Sequence, residues 1–592
     1  MKEIDLSEYI ERNANRVSRK VSLKNFFRIF SRLFNRRPIL VIYSLKIHKQ
    51  IYFSSASGLY GGNWKEYIAI LKKWVKDFHE LNIEPVFYFN GISKNDLKKG
   101  TNWKRVHLPE RKQVIVDDPL IDLHTDDQRC TIPPGISSYI RYILKYECKC
   151  RVYNTVDNSL YEVAKYANCI PECLGILCDK LDCLFFNTKP VFYSKYFDLL
   201  KDEGKIYYRS LLIDLLTLKP KQLPLFACIS MNVFRKGETY KEQLNIIENI
   251  VGTMKEYQWY GKKEEIPYIS RVTYINERML NTYLDMYRLR DIFNNKKNKN
   301  IISKIRKCEA PGIIYKLLTF KEYAERITIS DSSQKWTPSI LAFRPIRQKM
   351  YSLLFRNRPV CITERCICGE NEDEEIVNNV LIESNGKRII IIIITLIGLI
   401  LCLVPVIDCP TLENLWFGRK QCLVQKRWVL FSKCLNLTIP LPKLCQIENA
   451  FIVLCSLLNY LLKLKDIELK PEEVKAFIIQ AISVSFEDTS KFSNIKAPED
   501  TRIVYLISLF QKGISNLLYL LSVCGCPIPL RDAMPWKYFD GKSFAYFLEK
   551  LQNNSHSVES CCEDNTEIIE IFRKLYEITI IGTSLENEEN KV

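Results

Sequence analysis

Hydrophobic positions divide the chain into two regimes. Between residues 38 and 235, short apolar runs alternate with stretches of helical spacing. Pro38-Ile-Leu-Val-Ile-Tyr43 is apolar without a break and suits a strand covered on both faces. Trp64, Tyr67, Ile68, Leu71, Trp74, Val75 and Phe78 recur at three- and four-residue intervals, which predicts a helix over 64–82. Pro85–Gly91 reads as strand and turn, and the charged stretch 93–128 as an excursion. Ile136–Tyr146 reads as helix, Arg151–Asn154 as strand and Tyr161–Ala167 as helix. Leu174–Leu177 and Cys183–Phe186 are strand-like, and Leu211–Leu218 is helical. This alternation predicts an α/β domain with a mainly parallel sheet over 38–235, followed by a mostly α-helical region.

Beyond 236 the spacing is helical, most strongly over Phe451–Leu521. Changes in pattern suggest six segments: a basic amphipathic stretch (1–37), the α/β domain (38–235), a helical region (236–356), an acidic linker with an apolar segment (357–408), a second helical domain (409–551) and an acidic, partly mobile tail (552–592).

Charge then qualifies the picture. The 592 residues carry 86 Lys plus Arg against 68 Asp plus Glu, a net +18. No acid lies between Glu11 and Glu66, while Arg12, Arg16, Lys20, Lys24, Arg28, Arg32 and Arg36 recur every four residues. Interleaved with Phe26, Phe27, Phe30, Leu33 and Phe34, they predict an amphipathic helix over 22–36 with a cationic stripe. Such a stripe suits the solvated face of a docked helix, or a nucleic-acid or membrane-surface contact. Trp103, Lys104 and Arg105, among Lys98, Lys99, Arg111 and Lys112, set an aromatic among bases as single-strand contacts require; a charged surface loop has the same composition. Lys296, Lys297, Lys299, Lys304, Arg306 and Lys307 form another basic patch.

Ordinary globular composition excludes a mostly disordered chain. The 22 Cys are scattered, which favours reduced thiols over a secreted disulfide scaffold. Cys169, Cys173, Cys178 and Cys183, like Cys361, Cys366 and Cys368, lack paired zinc-site spacing and read as structural thiols. The five His fall in no catalytic pattern, and no phosphate-binding loop or dinucleotide fingerprint occurs. No cofactor is implied. Residues 389–407 are 19 uncharged residues opening with six Ile, long enough to span a membrane.

Six motifs in order then resemble the constitutive coactivator of PPAR-gamma-like family. They are Gly61-Gly-Asn-Trp-Lys-Glu-Tyr67, Phe87-Tyr-Phe-Asn-Gly91, Cys173-Leu-Gly-Ile-Leu177, Leu223-Pro-Leu-Phe-Ala-Cys228, Phe343-Arg-Pro-Ile-Arg-Gln348 and Met534-Pro-Trp-Lys-Tyr-Phe-Asp-Gly541. The resemblance covers about 23–550 and implies a PIN-like domain similar to flap endonuclease and XPG nucleases. It also implies a nuclear or cytoplasmic protein with protein partners, RNA or single-stranded nucleic acid being the alternative. Because such motifs flank 389–407, a membrane anchor becomes the lesser reading, beside a buried element or an erroneous translated segment. The amino terminus departs from the nuclease pattern: it reads Met1-Lys2-Glu3 where those enzymes begin Met-Gly.

The nucleases hold two divalent cations with carboxylates at strand ends, because hard cations need oxygen ligands and charge compensation. The resemblance places the corresponding seven positions at Tyr43, Asn90, Asn158, Leu160, Lys180, Asp182 and Val233. Only Asp182 is acidic, and Lys180 puts a cation where a cation should bind. Asp157, Glu162 and Asp179 are nearby acids from which a rearranged site would have to be built. The sequence therefore favours an inactive nuclease-like binding or scaffold protein, with transcriptional coactivation or RNA association as its implied roles. A metal-dependent structure-specific nuclease and a membrane-anchored adaptor are the competing readings.

Overall fold

The computed structural model describes residues 7–33, 37–43, 64–90, 136–156, 158–233, 240–289, 299–325, 337–356, 360–367, 375–381, 409–486, 500–552 and 557–589. They divide into two compact units, one of residues 1–48, 71–95 and 143–308, the other of 49–70, 96–142 and 309–592.

The first unit is built on a seven-stranded sheet. Its strands are β1 (Ser18–Ser22), β2 (Ile39–Tyr43), β3 (Glu84–Phe89), β4 (Arg151–Asn154), β5 (Cys173–Cys178), β6 (Val191–Tyr193) and β7 (Glu203–Tyr207). The order is β1-β7-β6-β5-β2-β3-β4. The strands β6, β5, β2, β3 and β4 run parallel, and β7 and β1 add antiparallel at one side. Every residue of β2 is buried, as an unbroken apolar run between two parallel neighbours requires. In β5, a Cβ on Gly175 would lie 2.6 Å from the Pro190 carbonyl oxygen and 2.8 Å from the Phe192 ring, so only glycine admits this approach of β6.

The parallel centre and the α/β class agree with the expectation from the sequence. Three features differ. Residues 183–186 are not a strand: Leu181–Phe185 is a 3-10 turn, closed by the Phe186 amide on the Cys183 carbonyl at 3.2 Å. All five of its side chains are buried, so the run carries no periodicity to separate turn from strand. The antiparallel pair β1 and β7 lies outside the expected strands: Ser18-Arg-Lys-Val-Ser22 is a polar edge segment, and Glu203-Gly-Lys-Ile-Tyr207, between β1 and β6, opens with polar residues and glycine. The basic stripe is helical over Leu23–Leu33, and Arg36 lies outside the described residues.

The second unit is chiefly helical, with a three-stranded sheet of β8 (Glu322–Glu325), β9 (Cys361–Ile367) and β10 (Glu375–Leu381) in the order β10-β9-β8. β9 and β10 thus form a hairpin within the stretch expected to be linker. The Phe343–Gln348 motif is structural. Arg347 is fully buried and forks onto Glu364 of β9 at 2.8 and 3.1 Å, while the Tyr351 hydroxyl donates to the same carboxylate at 2.6 Å. The Met534–Gly541 motif locks a helix start. Gln480 donates to the Tyr538 carbonyl at 3.0 Å and accepts from the Asp540 amide at 2.9 Å. Asp540 in turn accepts from the Ser543 amide at 2.8 Å, capping the helix Gly541–Gln552.

Thr501–Val523 is the one helix among the described residues long and apolar enough to cross a membrane. Some 83% of its apolar window is buried in the protein, where Phe510 stacks on Phe477 at 4.4 Å. The 389–407 run lies outside the described residues. The acidic end of the chain differs from the mobile tail expected. The helix Thr566–Ile580 buries Phe572, Leu575, Tyr576, Ile578, Thr579 and Ile580, an apolar face hidden in a stretch whose overall composition is polar.

Candidate functional site

In the first unit β3 and β4 extend the sheet to one side of β2, while β5 and β6 return on the other. Open parallel sheets take ligands at the carboxyl ends beside such a reversal. Tyr43 ends β2, Asn90 follows β3, and Lys180 and Asp182 follow β5, so these four expected positions share that end of the sheet. Asn158 and Leu160 open the helix after β4, and Val233 is the last residue of the helix Leu223–Val233, where it is 39% exposed.

Several of these residues have a structural part. Tyr43 is buried, and its hydroxyl donates to Asn90 Oδ1, joining the ends of β2 and β3. Asn158 caps its helix by accepting from the Tyr161 amide at 2.8 Å. Leu160 is partly buried against the core. Lys180 precedes the 3-10 turn, and its carbonyl accepts the Cys178 thiol at 3.0 Å. Asp182 is buried within that turn, close enough to the buried Tyr287 for its charge to help push that phenol up, after burial itself and Cys228.

Of the nearby acids, Glu162 is engaged. Glu162 accepts the Val156 amide at 2.8 Å through one oxygen and faces Arg306 at 3.4 Å through the other. The loop after β4 is pinned further by Thr155, whose amide meets the Phe89 carbonyl at 3.1 Å and whose hydroxyl meets Ser159 at 2.8 Å. Asn154 reaches the Ile305 carbonyl at 3.0 Å. Asp179 is partly buried, and Asp157 lies outside the described residues. Of this set, the Asn158 cap is missed in the sequence although Asn before a helical stretch is a helix-start signal that points to it; the Tyr43–Asn90 and Glu162–Arg306 pairings join distant residues and have no local signature.

The donor set does not fit a pair of hard divalent cations. One carboxylate, two amides and a phenol cannot offset four positive charges. A lysine ammonium about 6 Å from a dication adds about 5 kcal/mol of repulsion at an effective dielectric of about 20. Among the described residues, no group of three or more His, Cys, Asp or Glu is placed to hold a metal ion.

The cysteine run does not converge. Cys178 and Cys183 are buried with their sulfurs 3.8 Å apart, Cys173 is buried against the Gly175 carbonyl, and Cys169 is exposed. Hydrogen bonding with Cys178, followed by burial, holds the Cys183 thiol well above its ordinary pKa, the opposite of a metal-ready thiolate. Cys361 is exposed; the Cys366 side chain and Cys368 lie outside the described residues. Among the nucleic-acid candidates, Arg28 and Arg32 are exposed on the helix Leu23–Leu33. Trp103, Lys104 and Arg105 lie outside the described residues with their neighbouring bases, as do Lys296 and Lys297.

The strand order defines an α/β class built on a mainly parallel sheet. Comparison with known proteins then places the sequence beside coactivators. The chain is 22% identical over 632 residues to the constitutive coactivator of peroxisome proliferator-activated receptor gamma of Bos taurus, covering 85% of this chain and 86% of that protein. It is 29% identical over 280 residues to the protein of the same name from Homo sapiens, covering 46% of this chain and 29% of that protein. With constitutive coactivator of PPAR-gamma-like protein 1 of Mus musculus the figures are 26% over 293 residues, 47% of this chain and 25% of that protein. No family model matches.

The solved structures found similar are flap-endonuclease-like. They include the catalytic core of Rad2 with DNA substrate (13% identity, TM-score 0.28, 48% of this chain and 86% of that one). Human GEN1 with Holliday junction DNA gives 10%, 0.28, 64% and 87%. Flap endonuclease-1 from Methanococcus jannaschii gives 12%, 0.25, 51% and 99%.

Proposed function

We propose that this chain is a catalytically inactive, nuclease-like binding or scaffold protein that acts as a coactivator-like adaptor in the nucleus. The observation that carries the reading is the strand-end constellation. Tyr43 and Asn90 are bonded to each other, Asn158 serves its own helix, and Lys180 and Val233 stand where acids would be needed. Loss of those carboxylates removes the charge that would gather two cations and place a water for attack on phosphate. What remains is a rigid α/β support, and the names of the relatives favour protein partners for it.

RNA association is a second reading, supported by the exposed Arg28 and Arg32. Crosslinking of the tagged full-length protein in its own cells, with identification of bound protein and RNA, separates them. Recovery of specific nuclear proteins without RNA supports the scaffold, and recovery of RNA as the dominant partner replaces it with the RNA adaptor. Carbonate extraction in the same cells tests the anchor reading of 389–407, which predicts a membrane-retained protein.

A further inference from the structure

The helix Leu23–Leu33 is held firmly on its inner side. Leu23 and Phe27 are buried, Phe26 meets Phe192 at 5.6 Å, and Asn82 donates to the Ser31 hydroxyl at 2.7 Å. At its start Asp202 accepts from the Ser22 hydroxyl and the Lys24 amide, both at 2.6 Å. Both oxygens of that carboxylate are therefore occupied, although Lys24 and Arg28 lie near enough to help hold its pKa low, behind those two hydrogen bonds.

The outer side carries two adjacent columns. One is Lys24, Arg28 and Arg32, all exposed. The other contains Ile29, 51% exposed, and Leu33, 70% exposed. Single exposed aliphatic residues are ordinary on a protein surface, but these two are neighbours one helical turn apart on one face. Here uncovered aliphatic side chains run beside a line of cations, on a helix already fixed to its unit.

We propose that this face docks an acidic amphipathic helix of a partner protein. Both columns repeat every four residues, about 6 Å along the axis. A second helix laid alongside presents its own four-residue ridges at the same repeat, so carboxylates at i, i+4 and i+8 meet the three cations while its apolar ridge covers Ile29 and Leu33. A nucleic-acid backbone would satisfy the cations but leave both aliphatic side chains facing hydrated phosphate, and no aromatic of this helix is exposed for base stacking. A lipid surface would gain little from two apolar residues on an 11-residue helix whose other side is packed. The proposal gives the scaffold reading a partner class and rests on it.

The test is fluorescence anisotropy with the full-length protein and a labelled helical peptide of about 18 residues, long enough to hold its helix, bearing Glu at i, i+4 and i+8 beside a Leu ridge. A same-composition scrambled peptide, a single-stranded RNA and anionic vesicles are the comparison probes. The patterned peptide binds tightest. Lys24→Glu/Arg28→Glu/Arg32→Glu weakens it about tenfold or more, and Ile29→Ser/Leu33→Ser weakens it separately at unchanged circular dichroism. Equal binding of the scrambled peptide, or indifference to either variant, overturns the proposal. Tighter binding of RNA or vesicles through the same residues overturns it in favour of a polyanion or lipid site. A cleavage assay on the same sample reports separately on the scaffold reading, since cutting would break that reading whatever the peptide does.

Discussion

The Tyr43 hydroxyl donates a hydrogen bond to Asn90 Oδ1 across the carboxyl ends of the parallel neighbours β2 and β3. Two positions where a two-metal nuclease would aim carboxylates at a cation are here joined to each other. Tyr43→Phe should cost about 1 kcal/mol in urea unfolding, the net worth of one such bond. Tyr43→Asp should cost several kcal/mol, because it puts a carboxylate at a position 2% exposed. Millimolar Mg²⁺ should not restore the Tm of Tyr43→Asp; restoration would mean that the pocket still accepts cations.

Among the described residues of the second unit, Arg347 and Glu364 form a deeply buried ion pair, with the two side chains 1% and 3% exposed. Glu364→Gln should lose about 3–5 kcal/mol by stranding the buried Arg347, and Arg347→Met somewhat less, since Glu364 keeps Arg344 at 3.9 Å and the Tyr351 hydroxyl. The double change Arg347→Met/Glu364→Leu should be markedly less damaging than the two losses summed. Strict additivity in a double-mutant cycle by urea unfolding would argue against a coupled pair.

Lys463 gives a pH signature. Burial, with Lys349 behind it, lowers its pKa from 10.5 to about 8, and its ammonium donates to the Asn436 carbonyl. Between about pH 8 and 10.5 the unfolded chain therefore holds more protons on this group than the folded one, so its contribution makes stability rise with pH there and is flat below. Compared with Lys463→Met, the wild type should gain stability between pH 8 and 10. Parallel pH curves for the two proteins would rule this out.

Gln480 bridges the Tyr538 carbonyl and the Asp540 amide inside the second unit. Gln480→Leu should cost about 2–4 kcal/mol by leaving both groups dry, whereas Asp540→Asn, which keeps a capping oxygen, should cost less than 1–2 kcal/mol. Thermal unfolding of both variants orders them; a larger loss for Asp540→Asn would contradict the bridge.

Much of the first unit was legible in the sequence because parallel strands announce themselves as apolar runs: Ile39–Tyr43 and Cys173–Cys178 fall where the runs Pro38–Tyr43 and Leu174–Leu177 put them. The edge strand Ser18–Ser22 did not, since polar residues on an open edge look like loop. Cys183–Phe186 reads as strand because the fully buried 3-10 turn Leu181–Phe185 has a strand's composition. At the site, the seven positions came from the family resemblance, and residue identity adds that only Asp182 among them is acidic. The bonds found there, Tyr43 to Asn90 and Glu162 to Arg306, join residues 47 and 144 apart, beyond any local pattern.

The most direct test of the inactive pocket joins cation binding to cleavage. Purified full-length protein is titrated with Mn²⁺ by electron paramagnetic resonance and incubated with flap, single-stranded and junction DNA and with single-stranded RNA in Mg²⁺ or Mn²⁺. The strand-end chemistry predicts no Mn²⁺ site that depends on Asp182 and no cleavage above the Asp182→Ala background. Metal-dependent cutting that disappears in Asp182→Ala, with loss of a bound Mn²⁺ signal, would contradict it.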